Sequence, residues 1–293
     1  MTILSFAAAL ALLSASGSAL HDDPLTRPIP GNADWEKPQA PLKLHGDTYF
    51  VGTGGLSMVL IDSSDGLILI DGALPQTVAM TEASIRQLGF RVEDIRYILN
   101  TEAHYDHSGG LAALARDSGA EVITSPIGAA ALRMGQADAH DPQASSVAAH
   151  PPVANARGID DGESVRLGSA AVTAVFTPGH TPGSVSWTWK SCEGDACVNV
   201  VFASSLNAVA SGGFTYRAHP DVTATLRASI DRMEALPCDL LISVHPDNSG
   251  GDVKIAALQA GATPNPFLDP SACRAYAERA RGRLQARLDR EAS

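Results

Sequence analysis

The sequence predicts an α+β fold in which two sheets stack face to face and helices cover the outer faces. Three observations predict it. Each half of the chain opens with short strands and continues into helix and strand units. No linker separates the halves, so both belong to one domain. The chain of 293 residues is 45% apolar and 18% charged, which supplies a large core and excludes wholesale disorder. A sheet must bury a face and a helix a stripe, and a layered packing satisfies both.

The first twenty residues carry no charged side chain. An apolar run over 3–14 gives way to small residues ending at Ala19. This is the pattern of a secretory leader cleaved after Ala19, with 20–293 as the single domain. The run is short for a bilayer span, which takes about 20 apolar residues. We therefore expect export to the periplasm and no membrane attachment after cleavage. Residues 21–41 are Pro- and Asp-rich without period and read as an arm laid over the surface. Strands are predicted at 48–53, 56–62 and 67–71, separated by Gly or Ser-Ser-Asp-Gly turns. A helical pattern covers 77–88 and a strand 95–100. Helices at 109–117 and 126–134 flank a strand at 121–124. The stretch 136–156 is long, polar and rich in Ala and Pro. A loop of that length in a compact domain reads as a functional lid or as disorder. The second half predicts strands at 164–167, 171–176, 184–190 and 198–203. A helix at 222–236, a strand at 240–243 and helices at 253–259 and 271–288 complete it.

Composition narrows the function. The 21 basic and 32 acidic residues give a net charge of −11, with no Lys/Arg cluster to hold a phosphate backbone. Nucleic acid is thereby disfavoured as a partner. Four cysteines, Cys192, Cys197, Cys238 and Cys273, allow three pairings. Proximity favours Cys192–Cys197 and leaves Cys238–Cys273, as an exported chain would allow. No C-x2-C spacing supports a structural zinc site.

Chemistry concentrates after the strand at 95–100. Thr101-Glu102-Ala103-His104-Tyr105-Asp106-His107 places four metal-ligand types within six residues. Carboxylate oxygen and imidazole nitrogen suit Zn²⁺. Glu102, His104 and Asp106 alternate while His107 is offset by one, so the set can serve two ions. Two more histidines follow strands in stiff settings: His180 in Thr-Pro-Gly-His-Thr-Pro-Gly, and His245 in Ser-Val-His-Pro-Asp. His21, His45, His140, His150 and His219 lack such a setting. His140 and His150, on the long polar stretch, are expected in water. Tyr105 reads equally as a pocket wall or as packing.

These motifs resemble the metallo-β-lactamase superfamily, whose signature is H-x-H-x-D-H with distant His residues. Ile70-Asp71-Gly72 resembles the acidic residue after its early hairpin. Pro178-Gly179-His180-Thr181-Pro182-Gly183 is similar to its P-G-H-T-P-G turn. The resemblance implies an αββα sandwich with metals at one edge. Many hydrolases of the superfamily, including glyoxalase II and lactonase types, carry F-x-G-D-x-L with a metal-bridging Asp. Here Phe202-Ala203-Ser204-Ser205-Leu206 puts Ser205 at that place. Serine there, with His107 as a ligand, is similar to subclass B3. So are Cys238, seven residues before His245, and the arm from Asp34-Trp35 to Pro41.

The resemblance implies two Zn²⁺ ions, one on Glu102, His104 and His180 and one on Asp106, His107 and His245. Glu102 departs from the signature histidine. It adds negative charge, lowering Lewis acidity at the first site, or turns away and leaves that site poorly filled. The implied reaction is attack of a metal-bound hydroxide on the β-lactam amide, with Asp106 holding the second ion and orienting the nucleophile. Ser205 and, more loosely, Asn207 would hydrogen-bond the substrate carboxylate, and Asp71 would hold a ligand histidine from behind. A monomer acting on a small β-lactam is expected. The alternatives are another exported zinc hydrolase of lactonase or glyoxalase II type, or a non-catalytic metal-binding protein.

Overall fold

A computed structural model describes residues 23–292. The expected leader lies outside the described residues. The arm makes two short 3₁₀ turns, Pro24–Thr26 and Ala33–Glu36, before the first sheet begins. That sheet holds β1 (Leu42–His45), β2 (Thr48–Phe50), β3 (Val59–Asp62), β4 (Leu67–Ile70), β5 (Ile95–Leu99), β6 (Glu121–Thr124) and β7 (Arg157–Gly158), paired in chain order. β1 to β4 are antiparallel neighbours, and β4 to β7 run parallel. The second sheet holds β8 (Ser164–Leu167), β9 (Ala170–Phe176), β10 (Val185–Glu193), β11 (Ala196–Ala203) and β12 (Leu240–Ser243), in the order β12-β11-β10-β9-β8.

Period-2 alternation builds three cores from these strands. In β3 and β4, Val59, Ile61, Ile68 and Ile70 face the second sheet, while Leu60, Leu67 and Leu69 face outward under helices. In β11, Val200 and Phe202 point to the first sheet, and Val201 and Ala203 point away from it. The central layer is closed by Trp187, fully buried, whose Nε1 donates to Asn100 O at 3.3 Å. Helices α1 (Val78–Gln87), α3 (Leu111–Ser118) and α4 (Pro126–Met134) cover the first sheet. Helices α5 (Pro220–Glu234) and α7 (Ala272–Arg290) cover the second. The short α2 (Tyr105–Ser108) and α6 (Gly251–Gln259) sit at the edge. The layers are helix, sheet, sheet, helix, as expected.

Boundaries follow local chemistry. Ser125 Oγ accepts from Gly128 N at 3.0 Å, Pro126 opens α4, and Gly135 at φ 69° ends it. That serine, proline and glycine punctuation is readable in sequence. β1 is not: four residues with one exposed lysine give no alternation to detect. Both disulfides form, Cys192–Cys197 across the β10–β11 hairpin and Cys238–Cys273 between the approach to β12 and the start of α7.

The stretch 136–156 is neither helix nor strand, yet it is pinned. His150 N donates to Gly135 O and Val153 N to Leu132 O, both at 2.9 Å. Asp141, Pro142, His150 and Val153 are buried. This corrects the solvated reading of His150; His140 is exposed as expected. Backbone bonds to the end of α4 draw the segment inward.

Candidate metal centre

The site lies where the ends of β5, β9, β11 and β12 converge. Asp71 organises the β5 end. It sits at φ 66°, a left-handed conformation that Asp tolerates and that marks strain at a functional turn. Its carboxylate accepts from Thr101 N at 2.8 Å, Thr101 Oγ1 at 2.7 Å and Asn100 Nδ2 at 3.1 Å. His107 Nδ1 stands 3.8 Å from Asp71 Oδ2, longer than a hydrogen bond. The structure therefore places Asp71 as a clamp on residues 100–101, with a charge behind His107.

Glu102 and His104 follow Thr101, and His104, whose backbone is extended, precedes α2. The His104 carbonyl accepts from His107 N, Ser108 N and Ser108 Oγ at 2.9, 2.8 and 2.7 Å. Gly109 and Gly110 then let the loop close on the end of β4. A Cβ at Gly110 would lie 2.3 Å from Gly72 O, and one at Gly109 would lie 2.4 Å from a Pro75 ring carbon. His180 sits in the β9–β10 turn, and His245 follows Val244, whose N–H donates to Ala203 O at 3.0 Å.

Two ligand sets result: Glu102, His104 and His180, and Asp106, His107 and His245. In the second, His107 Nε2 is 3.1 Å from His245 Nε2 and 3.3 Å from Asp106 Oδ2. His245 Nε2 is 3.4 Å from Asp106 Oδ2. Ligands about 2.0–2.2 Å from a tetrahedral zinc lie about 3.3–3.6 Å apart, so the two edges to Asp106 fit and the His107–His245 edge is slightly short. Glu102 is turned in rather than away. Its Oε1 lies 3.3 Å from His107 Nε2 and 3.6 Å from His180 Nε2, and is buried without a hydrogen-bond partner. A buried carboxylate oxygen left open toward imidazoles is the vertex a cation fills. Its other oxygen accepts from Ser205 N at 2.9 Å.

Electrostatics agree. Burial opposes charge on Glu102 and Asp106, but neighbouring histidines outweigh it and hold both carboxyls below their ordinary values, Asp106 well below. Burial likewise opposes charge on His107, yet Asp106, Glu102 and Asp71 push it up to about 10. Burial pushes Asp71 up to about 7 against the pull of His107 and Thr101. Burial depresses His180, with Glu102 opposing. Protons thus balance the acids of the metal-free site, and a cation displaces them on binding.

The outer ring atoms are also held. His180 Nδ1 lies 2.9 Å from Asn207 O, and His245 Nδ1 lies 3.3 Å from Gly55 O. Asn207 thus reaches the site through its backbone, and Ser205 does so through its N–H. The Ser205 Oγ and Asn207 Oδ1 atoms are buried without partners. Sequence reasoning missed two residues. Asp141 Oδ2 is 2.8 Å from His104 Nε2, and Gln143 Nε2 is 3.3 Å from His180 Nε2. Both come from the pinned loop, where no period or motif points to them. Trp35 from the arm packs against His245 and Tyr105, with ring centroids 5.4 and 6.3 Å away. Tyr105 is therefore both packed and at the rim. His219 stacks on Phe214 at 4.0 Å, outside both ligand sets.

A sandwich of two sheets with two facing N,N,O ligand sets defines a dinuclear metal site. Residues 51–245 match the Metallo-beta-lactamase superfamily, and the chain belongs to it. Among solved structures, Rm3 metallo-beta-lactamase superposes with a TM-score of 0.86 at 46% identity, over 89% of this chain and 98% of that one. MEM-A1, a subclass B3 metallo-beta-lactamase isolated from a soil metagenome library, gives 0.85 at 48% identity, over 88% and 99%. The structure described as the first B3 metallo-beta-lactamase with an active-site glutamic acid gives 0.84 at 45% identity, over 93% and 99%. Curated relatives are more distant. A hydroxyacylglutathione hydrolase of Rhodospirillum rubrum is 26% identical over 178 residues, 59% of this chain and 54% of that one. The chain spans about half the length of the curated relatives it matches.

Proposed function

We propose that the protein is a subclass B3-type metallo-β-lactamase that hydrolyses the amide bond of β-lactam antibiotics with two zinc ions. The observation that carries this reading is the pair of facing ligand sets with Ser205, not a carboxylate, on the loop beside Glu102. The bridging acid of glyoxalase II and lactonase types is missing. The donors, one carboxylate and two imidazoles for each ion, suit zinc.

When bound, zinc polarises a carbonyl and brings the pKa of a coordinated water toward about 7. The chain supplies the rest. Glu102, His104 and His180 would hold one ion, and Asp106, His107 and His245 the other. Asp106 stays ionised and orients the nucleophile. Ser205 Oγ, without a partner inside the protein, and the Asn207 side-chain NH₂ would donate to the substrate carboxylate. Trp35 and Tyr105 form an apolar rim that shelters the reaction from bulk water. We further propose that the chain is exported to the periplasm and acts there as a monomer. Two disulfides favour the oxidising compartment.

The test is hydrolysis of a carbapenem and a cephalosporin by the mature chain, with added zinc and again with chelator. Turnover that needs zinc and disappears with chelator is expected. Two bound zincs without turnover would move the assignment to a lactonase or thioester hydrolase. One zinc or none would leave a metal-binding protein with a broken first site.

A further inference from the structure

We propose that Asp141 is a positioning residue of the first metal site, fixing which nitrogen of His104 faces the ion and tying the loop 136–156 to that ion. The inference rests on the dinuclear reading above. His180 and His245 direct Nδ1 at backbone carbonyls and so present Nε2 inward. His104 is reversed. Its Nε2 points at Asp141 Oδ2 at 2.8 Å. A carboxylate oxygen accepts, so Nε2 carries the hydrogen and Nδ1 is left with its lone pair free for the metal. Both side chains are buried, with 5% of His104 and 1% of Asp141 exposed, so water does not compete for this contact. A carboxylate behind a ligand imidazole fixes its tautomer and raises its basicity.

Asp141 is itself held. Its second oxygen accepts from Gln143 N at 2.7 Å, and its N–H donates to Asp138 O at 3.0 Å. The next residue, Pro142, accepts from Ser211 N at 3.0 Å, and Ser145 Oγ meets Ser211 Oγ at 2.9 Å. This docks the loop on the segment that carries Asn207. Gln143 Nε2 from the same turn lies 3.3 Å from His180 Nε2, the ion-facing nitrogen, where a bound ion would displace it. A stretch without helix or strand thus touches both histidines of the first site.

Asparagine at 141 can satisfy only half of the arrangement. Its oxygen can accept from His104 or from Gln143 N, and its NH₂ then faces a donor. The test compares the mature wild-type chain with Asp141→Asn, Asp141→Ala and, as a control on the same loop, Asp138→Asn. Bound zinc is measured against graded chelator, together with the visible spectrum of the cobalt-substituted protein and the melting temperature without metal. The expected result is that one zinc of two binds about 10–100-fold more weakly in Asp141→Asn, and more weakly still in Asp141→Ala. The cobalt spectrum changes, the metal-free melting temperature stays near wild type, and Asp138→Asn matches wild type throughout. Retention of both zincs at wild-type affinity in Asp141→Ala overturns the proposal. So does a fall in metal-free stability that accounts for the whole zinc loss, which would make Asp141 a loop-packing residue. Inactivity of the wild type toward β-lactams would sink the substrate assignment but leave this result readable in zinc and cobalt alone.

Discussion

The two metal sites share a donor composition, one carboxylate and two imidazoles, but they are built from different materials. The second takes Asp106 and His107 from one turn of α2 and His245 from the end of β12. Its ligand atoms already stand 3.1–3.4 Å apart. The Cys238–Cys273 bridge staples the approach to β12 onto α7, and Tyr276 of α7 donates to Ser204 O at 3.0 Å. The first site is wider, with Glu102 Oε1 and His180 Nε2 3.6 Å apart. Its supports come from loops: Ser205 N, Asn207 O and Asp141. Regular structure fixes ligands more tightly than loops do. The departure from the signature, Glu102, lies in the loop-supported site. There the Ser205 N–H holds its carboxylate at 2.9 Å.

Substitutions test the comparison from its rigid side first. Asp106→Asn keeps the shape and removes the charge facing His107 and His245. Loss of a poised carboxylate of this kind is expected to cut turnover about 10²–10⁴-fold, measured as kcat with zinc in excess. An effect under tenfold would show that the second site is not the rigid half. The disulfide comes next. Replacing Cys238 and Cys273 by Ser opens a bridge of sequence separation 35, which is expected to cost about 3–4 kcal/mol in denaturant unfolding. The zinc on His245 should weaken with it, while the zinc on His180 should not. Opening Cys192–Cys197, with a separation of 5, should cost less and leave both zincs in place. Glu102→Gln probes the softer site. The amide oxygen can accept from Ser205 N or face the ion, but not both, so zinc should leave the first site while the fold persists. Dialysed protein retaining two zincs would mean that Glu102 is not a ligand.

Much of this was legible in the sequence, and the reason is spacing. Glu102 to His107 are consecutive, and His180 and His245 are framed by Pro and Gly beside strands whose alternation shows. The punctuation of α4 fixed its ends to the residue. What was hidden is contact without pattern. Asp141 reaches His104 across 37 positions from a segment with no period, and the support that Ser205 and Asn207 give comes from backbone N–H and C=O, which every residue carries. His150 reads as polar loop, yet its burial is set by α4 backbone groups that no local composition reveals.

The smallest effect is the dependence of the metal-free protein on pH. An unfolded Asp ionises near 3.9 and an unfolded His loses its proton near 6.5. In the folded, metal-free site, burial carries Asp71 up to about 7, and Asp106 and Glu102 outweigh burial to carry His107 up to about 10. The folded form therefore holds protons that the unfolded form has already released, and stability falls as pH rises. The Asp71 contribution is complete below about pH 4 and is lost as pH rises through about 7; that of His107 is complete below about 6.5 and is lost through about 10. Zinc takes the place of the His107 proton, so its affinity moves the opposite way and climbs over the same interval. Melting temperatures with chelator and with excess zinc, taken from about pH 5 to about pH 9, should diverge as pH increases. The same pair of curves for Glu102→Gln should diverge less, because that substitution removes one of the carboxylates raising His107. Curves that stay parallel in wild type would assign the displaced protons to groups outside the second site.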